Sequence, residues 1–256
     1  MQSNNKLNTC IKMLDKTQKN VHLLPNLVSS ETIKNAINSQ SKYKNIQVVC
    51  KDNITTIVMK RPEKKNALSM EAYKEISDAL EEAGKDDSVI AVLTGYGDYF
   101  SSGNDLNNAL GRIKGNLEDM IKESTNVATF NTPFSKLGQH PEACSSYTFP
   151  RIMGLSKAIE VLLFNKTLTA REACNLGLVT EVFPDSTFQQ EVWARLKSYA
   201  TFPKNCLALS KQLVRSVDKE KLHAICKKEM ELLAQRANSE DSLNALQQFF
   251  SRKSKM

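Results

Sequence analysis

The sequence predicts an α/β fold in which strands dominate the first half of the chain and helices the second. Three observations carry this reading: two β-branched runs at 46–50 and 54–59, an unbroken apolar run at 89–94, and capped segments with helical spacing after Ser69 and again from 156 onward. The β-branched runs are joined by the turn residues Lys51-Asp52-Asn53 and read as a hairpin. Arg61-Pro62-Glu63-Lys64-Lys65-Asn66 follows as a polar loop. Ser69 can cap a helix with Tyr73, Ile76 and Leu80 on one face, and Gly84 is expected to end it. Residues 89–94 suit a strand covered on both faces, so the order strand, helix, buried strand opens a βαβ arrangement. In the second half, 156–164 reads as a short apolar helix. Thr169-Ala170-Arg171-Glu172 fits a capping box, and Gly177 closes the helix behind it. Residues 178–183 read as a strand cut off by Pro184. Ser186-Thr187-Phe188-Gln189 reads as a second capping box, opening a helix that carries Val192, Leu196 and Tyr199. Helices at 204–216, 219–237 and 239–251 complete the chain, and no internal repeat is present.

Composition narrows the function. With 256 residues, 41% of them hydrophobic and 25% charged, the chain can bury one substantial core and carry an appendage. Lys and Arg number 35 against 28 Asp and Glu, a net charge of +7. The basic residues alternate with acids and form no long run, so the charge describes a solvated face and not a nucleic-acid site. A Lys surplus also favours anionic small ligands such as coenzyme A. No apolar run approaches the roughly 18 residues of a membrane-spanning helix. Six singly spaced cysteines exclude a zinc ribbon or a C-x-x-C redox site and favour a reducing compartment. Nine glycines are about half the usual share and argue against a glycine-rich nucleotide fold.

Residues 1–42 read as an appendage rich in Asn, Lys, Ser and Gln, with one short amphipathic stripe at Leu7, Ile11 and Leu14. Arg61 is the first arginine of the chain, which weakens a mitochondrial transit reading. The terminal Ser254, Lys255 and Met256 stand one substitution from the peroxisomal S-K-L address. The expected organisation is an appendage at 1–42, a core at 43–184 and a helical region at 185–256.

The three histidines, His22, His140 and His223, accompany neither G-x-S-x-G nor H-E-x-x-H, so no nucleophilic triad or zinc site is expected. The loop 98–106 lies just beyond a buried strand, where open α/β folds bind ligands. Its small residues let backbone N–H groups approach a substrate oxygen; an ordinary turn is the competing reading. Gly95-Tyr96-Gly97 lacks the third glycine of a dinucleotide fingerprint. Glu142 sits in Leu137-Gly138-Gln139-His140-Pro141-Glu142-Ala143-Cys144-Ser145-Ser146-Tyr147, a stretch nearly free of other charge. It is either a surface helix cap or a partly desolvated proton shuttle with a raised pKa.

Taken together, these stretches resemble the crotonase (enoyl-CoA hydratase/isomerase) superfamily, and among its branches the peroxisomal-type Δ3,Δ2-enoyl-CoA isomerases. The matching pieces are Arg61-Pro62 with Lys65-Asn66-Ala67, Val92-Leu93-Thr94-Gly95, and Tyr99-Phe100-Ser101-Ser102-Gly103-Asn104-Asp105-Leu106. Further along they are Thr132-Pro133-Phe134-Ser135, Leu137-Gly138, Pro141-Glu142, Ser145-Ser146-Tyr147, Leu168-Thr169-Ala170 and Gly177-Leu178-Val179. The resemblance implies a crotonase-like ββα spiral core with a C-terminal helical region. It implies that Lys64, Lys65, Asn66 and Ala67 lie beside the coenzyme A moiety of an acyl-CoA thioester. Ser101, Ser102, Gly103, Asn104, Asp105 and Leu106 bind the substrate, with the Asn104 N–H as one half of an oxyanion hole. The resemblance further implies that Glu142 is the catalytic acid/base, moving a proton from C2 to C4 of a 3-enoyl-CoA. No metal or redox cofactor is required, since coenzyme A is part of the substrate. A homotrimer assembled through 185–256, recognition by a peroxisomal import receptor, and a role in fatty acid β-oxidation are further implications. The expected location is the peroxisome, with mitochondrion and cytosol as alternatives. An N-terminal acyl-CoA-binding domain, found in some such isomerases, is at most a remnant in 1–42.

One stretch departs from the family pattern. Only residues 106–129 separate Asp105 from Phe130, where relatives place a strand, a helix starting at a second oxyanion glycine, and a further strand. Neither Gly111 nor Gly115 is assigned to that glycine. The expectation is an incomplete core with an open sheet edge and weakened catalysis. The competing reading is therefore a catalytically impaired isoform or paralogue that binds only acyl-CoA or partner subunits. Hydratase activity is disfavoured, because its second glutamate falls in the missing stretch.

Overall fold

A computed structural model describes residues 42–105, 128–236 and 239–251, together with the backbone of 20–24. Leu106, the stripe Leu7, Ile11 and Leu14, the short segment as far as residue 127, and Ser254, Lys255 and Met256 lie outside the described residues. The chain divides into two compact units: residues 12–111 with 183–217, and residues 1–11 with 112–182 and 218–256.

The first unit is built on a four-stranded sheet of β1 (Asn20–Leu24), β2 (Ile46–Lys51), β3 (Ile54–Met59) and β4 (Ile90–Gly95), in the order β1-β4-β3-β2. β2 and β3 form the expected hairpin, with Ile46 opposite Met59 and Lys51 opposite Ile54. Its turn residues Asp52 and Asn53 take φ of 53° and 59°. A two-residue hairpin turn of type I′ needs that left-handed pair, and Asp and Asn tolerate it better than most residues. β3 and β4 run parallel, Ile54 opposite Ile90 and Met59 opposite Gly95.

All six residues of β3 are buried because the sheet is covered on both faces. The period-2 alternation sorts the side chains. Ile54, Val58, Ile90 and Val92 pack against Val192, Leu196 and Ala200, on or just beyond helix α5 (Phe188–Tyr199). Ile57, Met59 and Ala91 pack against Ile76, Ala79, Leu80 and Ala83 of helix α1 (Met70–Lys85). Each fully buried Ile or Val contributes roughly 1.5–3 kcal/mol relative to exposure. The Ser69 hydroxyl caps α1, accepting from the Ala72 N–H at 3.1 Å. The Glu75 carboxylate then ties α1 to the start of β2 by accepting from the Asn45 N–H at 2.8 Å and the Lys44 N–H at 3.1 Å. Gly84 does not end this helix. It runs on to Lys85, and Asp86, in extended geometry, closes it by donating its N–H to Glu82.

β1 comes from the segment that the composition marked as an appendage. It lies parallel to β4, Asn20 opposite Ile90 and Leu24 opposite Thr94. β4 therefore has a strand on each side, and among the described residues β1 and β2 are the edges of the sheet. Helix α6 (Lys204–Ser216) packs beside β1.

In the second unit, the short strands β5 (Thr129–Phe130) and β6 (Leu168–Thr169) pair antiparallel. Helices α2 (Ser145–Met153), α3 (Leu155–Leu162) and α4 (Ala170–Asn175) enclose Met153, Ala158, Val161, Leu162, Leu168 and Ala173. Helices α7 (Lys219–Arg236) and α8 (Glu240–Ser251) complete this unit. Gly138, at φ +62°, faces α8 so closely that a Cβ there would stand 2.8 Å from Ser242 Cα. The Thr169 capping box is present: its hydroxyl accepts from the Glu172 N–H at 3.2 Å, and the Glu172 carboxylate accepts from the Thr169 N–H at 2.8 Å.

Two other expectations are corrected. Residues 178–183 are not a strand, because the N–H groups of Leu178 and Val179 turn back onto the Ala173 carbonyl at 2.8 and 3.3 Å. Their apolar side chains serve the core around Ala173 instead of a sheet. Ser186 caps nothing: α5 starts at Phe188 behind Thr187, whose hydroxyl bonds the Glu191 carboxylate.

The sheet order yields a prediction. Alternate N–H groups of an edge strand face its one neighbour, so replacing both His22 and Leu23 by proline removes at least one ladder donor. The double variant should lose about 1–3 kcal/mol of stability. Thermal melts check this, and an unchanged midpoint would show that β1 does not support the sheet.

Candidate active site

The candidate site residues of the first unit lie in two loops that follow β3 and β4. Both strands run in the same direction, so both loops emerge at the same end of the sheet. The first loop makes a short 3₁₀ turn at Pro62–Lys64 and continues through Lys65 and Asn66 with φ of 49° and 54°. Asn66 is buried, and its side-chain amide bonds at both ends. Its Oδ1 accepts from the Arg61 N–H at 2.9 Å, and its Nδ2 donates to the carbonyls of Tyr96 (3.0 Å) and Tyr99 (2.6 Å). Gly95 makes room for this: a Cβ there would stand 2.5 Å from the Phe100 carbonyl oxygen and nearer still to that of Tyr99.

The loops are then zipped residue by residue. The Ser102 N–H donates to Lys65 O at 2.9 Å, the Leu68 N–H to Gly103 O at 2.8 Å, and the Asp105 N–H to Leu68 O at 3.0 Å. The Ser101 hydroxyl donates to Asn66 O at 2.9 Å and accepts from the Gly103 N–H at 3.0 Å. Leu68 and Asn104 form a parallel bridge whose hydrogen bonds belong to Gly103 and Asp105, so the Asn104 peptide faces the other side. The Asn104 side chain accepts from the Tyr73 hydroxyl at 2.6 Å. Asp105 is buried against Arg61 at 3.0 Å, with side-chain exposures of 7% and 18%, and Arg61 also donates to Ala67 O at 2.6 Å. Lys65 bonds the Tyr99 hydroxyl at 2.9 Å, while Lys64 is exposed. Of the predicted loop residues, Asn66 and Asp105 thus spend their side chains inside the protein, and Ser102, Gly103 and Asn104 face solvent.

Glu142 lies in the second unit, half-buried, two residues before Cys144, the N-cap of α2. Its carbonyl accepts from the Ser145 N–H at 3.1 Å and the Ser145 hydroxyl at 2.7 Å. The next residues, Ala143 and Cys144, have φ of 57° and 62°. Two successive non-glycine residues there cost about 1–2 kcal/mol each. The carboxylate that caps α2 belongs to Glu229 of α7, which accepts from the Cys144 N–H at 2.7 Å and the Ser146 N–H at 3.1 Å. Glu229 thus supplies a helix cap from more than eighty residues away. Burial, with the nearby Cys144, Glu229 and Glu142, pushes the Cys226 thiol up to about 11, so it stays protonated at neutral pH. Among the described residues, no group of His, Cys, Asp and Glu is arranged to hold a metal ion, and no helix is long and apolar enough to cross a membrane.

Residues 50–126 and 119–255 match the enoyl-CoA hydratase/isomerase family. The chain belongs to that family. Enoyl-CoA delta isomerase 2 of Homo sapiens is 44% identical over 91% of this chain and 70% of its own length. Enoyl-CoA delta isomerase 3, peroxisomal, of Mus musculus is 42% identical over 83% of this chain and 80% of its own. Among solved structures, an enoyl-CoA hydratase/isomerase from Pseudoalteromonas atlantica T6c superposes with a TM-score of 0.72 at 29% identity, covering 82% of this chain and 98% of that one. The crotonase-type α/β fold is therefore shared. The human alignment spans 277 positions, yet 91% of 256 residues is about 233, so about 44 positions of the relative have no counterpart here.

Sequence reasoning did not assign roles to Tyr73, Tyr99 or Glu229, nor the clamp of Arg61 on Asp105. Arg61 and Asp105 stood in the family motifs, so their pairing had a visible signal. Glu229 had none, because its partners lie more than eighty residues away in the chain.

Arg61→Ala should leave Asp105 as a buried carboxylate without its cation. The expected loss is about 3–5 kcal/mol, as for one broken partner of a buried pair. Urea unfolding measures it, and a loss below 1 kcal/mol would mean that water replaces the guanidinium.

Proposed function

We propose that this chain is an enoyl-CoA delta isomerase, converting 3-enoyl-CoA to trans-2-enoyl-CoA in the β-oxidation of unsaturated fatty acids. The observation that carries the reading is its 44% identity, over 91% of the chain, to a protein named for that activity. The intact motif around Glu142 supports it. Glu142 takes the proton from C2, which the neighbouring thioester acidifies, and returns it to C4 as the double bond moves into conjugation. The intermediate dienolate carries its charge on the thioester oxygen, and the Asn104 N–H is the donor assigned to it. Lys64 and Lys65 bring positive charge for the phosphates of coenzyme A. The reaction needs no metal or redox cofactor, because coenzyme A already belongs to the substrate. Assembly as a homotrimer through 185–256 and import into peroxisomes complete the proposal.

A second reading has its own observation, the roughly 44 positions missing relative to the human isomerase. If they lie at 106–129 and include the second oxyanion donor, turnover falls by about 10²–10³. The protein then binds acyl-CoA with little catalysis. The purified chain decides between the readings when turnover of 3-enoyl-CoA and binding of an acyl-CoA are measured side by side.

Glu142→Gln should reduce isomerisation by at least about 10², the usual contribution of a positioned acid/base, with acyl-CoA binding retained. Undiminished turnover in that variant would sink the assignment. Localisation is tested separately: a reporter fused to the N-terminus should collect in peroxisomes, and deletion of Ser254, Lys255 and Met256 should disperse it. Identical distributions would dismiss the address.

A further inference from the structure

We propose that Glu229 is a positioning residue for Glu142, its buried carboxylate holding the turn through which the chain passes from Glu142 into α2. The inference rests on the reading of Glu142 as the acid/base. Glu229 is only 7% exposed. A buried carboxylate is tolerated when donors surround it, and here three do. The Cys144 N–H lies 2.7 Å from Oε2, the Ser146 N–H 3.1 Å from Oε1, and the Ser146 hydroxyl also bonds Oε1. All three donors stand at the start of α2, where backbone N–H groups lack intrahelical partners and the helix dipole favours negative charge.

The turn needs an outside hold. Ala143 and Cys144 are both left-handed without being glycine, a conformation that persists only where the surroundings over-determine it. Glu142 is bound into the same turn through its carbonyl, which accepts from the Ser145 N–H and hydroxyl. A second tie from the same helix reinforces the first: the Cys144 thiol donates to Leu222 O at 3.3 Å. α7 thereby sets the backbone from which the Glu142 side chain departs. A single carboxylate that serves both C2 and C4 depends on that departure point, since a misplacement of about 1 Å can cost 10²-fold in rate.

Glu229→Gln keeps the shape, but its amide N–H₂ confronts a backbone N–H. The expected result is a fall in kcat of roughly 10–10²-fold. KM for 3-enoyl-CoA should stay within about twofold, the pattern of an interaction expressed in the transition state. Ser146→Ala, which removes only one donor, should give a smaller fall in the same sense. Hydrogen exchange of the peptide spanning 143–147 should quicken in Glu229→Gln. An unchanged kcat in the folded variant overturns the proposal. So does a loss that merely tracks the fraction unfolded as temperature rises. If the native chain shows no isomerisation, the isomerase reading fails; exchange at 143–147 then decides the hold by Glu229 alone, and an unchanged rate refutes it.

Discussion

The parallel pairing of β3 with β4 is the constraint on which the first unit depends. Parallel strands place their C-terminal ends side by side, so the loop after each emerges next to the other. A parallel pair is also stable mainly where both faces are covered. α1 and α5 supply that cover from opposite sides, using the odd and even residues of the same strands. The buried hydroxyl of Thr55 shows how closely the cover is fitted. It reaches the Asp86 carboxylate at 2.7 Å and the Ser88 hydroxyl at 2.9 Å, so the polar atom is satisfied inside the sheet's margin.

From that pairing the loop architecture follows. The Asn66 amide spans from one loop to the other, and Gly95 lets the second loop fold back closely enough to be reached. Backbone hydrogen bonds between 65–68 and 102–105 then fix Gly103 and Asn104 on a short bridge, not on a free loop. The role proposed for the Asn104 N–H as an oxyanion donor fits such rigidity, because a fixed donor leaves little reorganisation for the reaction. The buried Arg61–Asp105 pair closes the far end of the zipper. It contributes definition of the loop more surely than net stability, since desolvation offsets much of its Coulomb energy.

Local signals explain what was legible in the sequence. The hairpin turn at 51–54, the Ser69 cap and the Thr169 capping box all involve residues at most a few positions apart, and each formed as its pattern implies. The strand expected at 178–183 failed for a reason the pattern does not contain. Leu178 and Val179 are apolar because they pack around Ala173, and apolarity alone does not distinguish that use from a strand. At the site, small residues in 101–104 announced a close backbone approach. The burial of Asn66 and the hold of Glu229 on α2 were invisible, because each depends on partners thirty to eighty-five residues away.

β1 is the clearest case of tertiary context overriding composition. A polar N-terminal segment with one five-residue run, Asn-Val-His-Leu-Leu, has nothing in it that demands a sheet. β4 demands a neighbour: its exposed edge would present unpaired N–H and C=O groups beside a core strand. The shortened stretch after Asp105 was expected to leave that place vacant, and a segment from the other end of the same unit takes it. Parallel addition suits this, since β1 needs no tight connection to β4 and reaches it through a long intervening chain. Closing such a loop is inexpensive, because each doubling of its length adds only about 0.6 kcal/mol. A parallel neighbour for a core strand can in this way come from distant sequence, with backbone groups supplying the pairing.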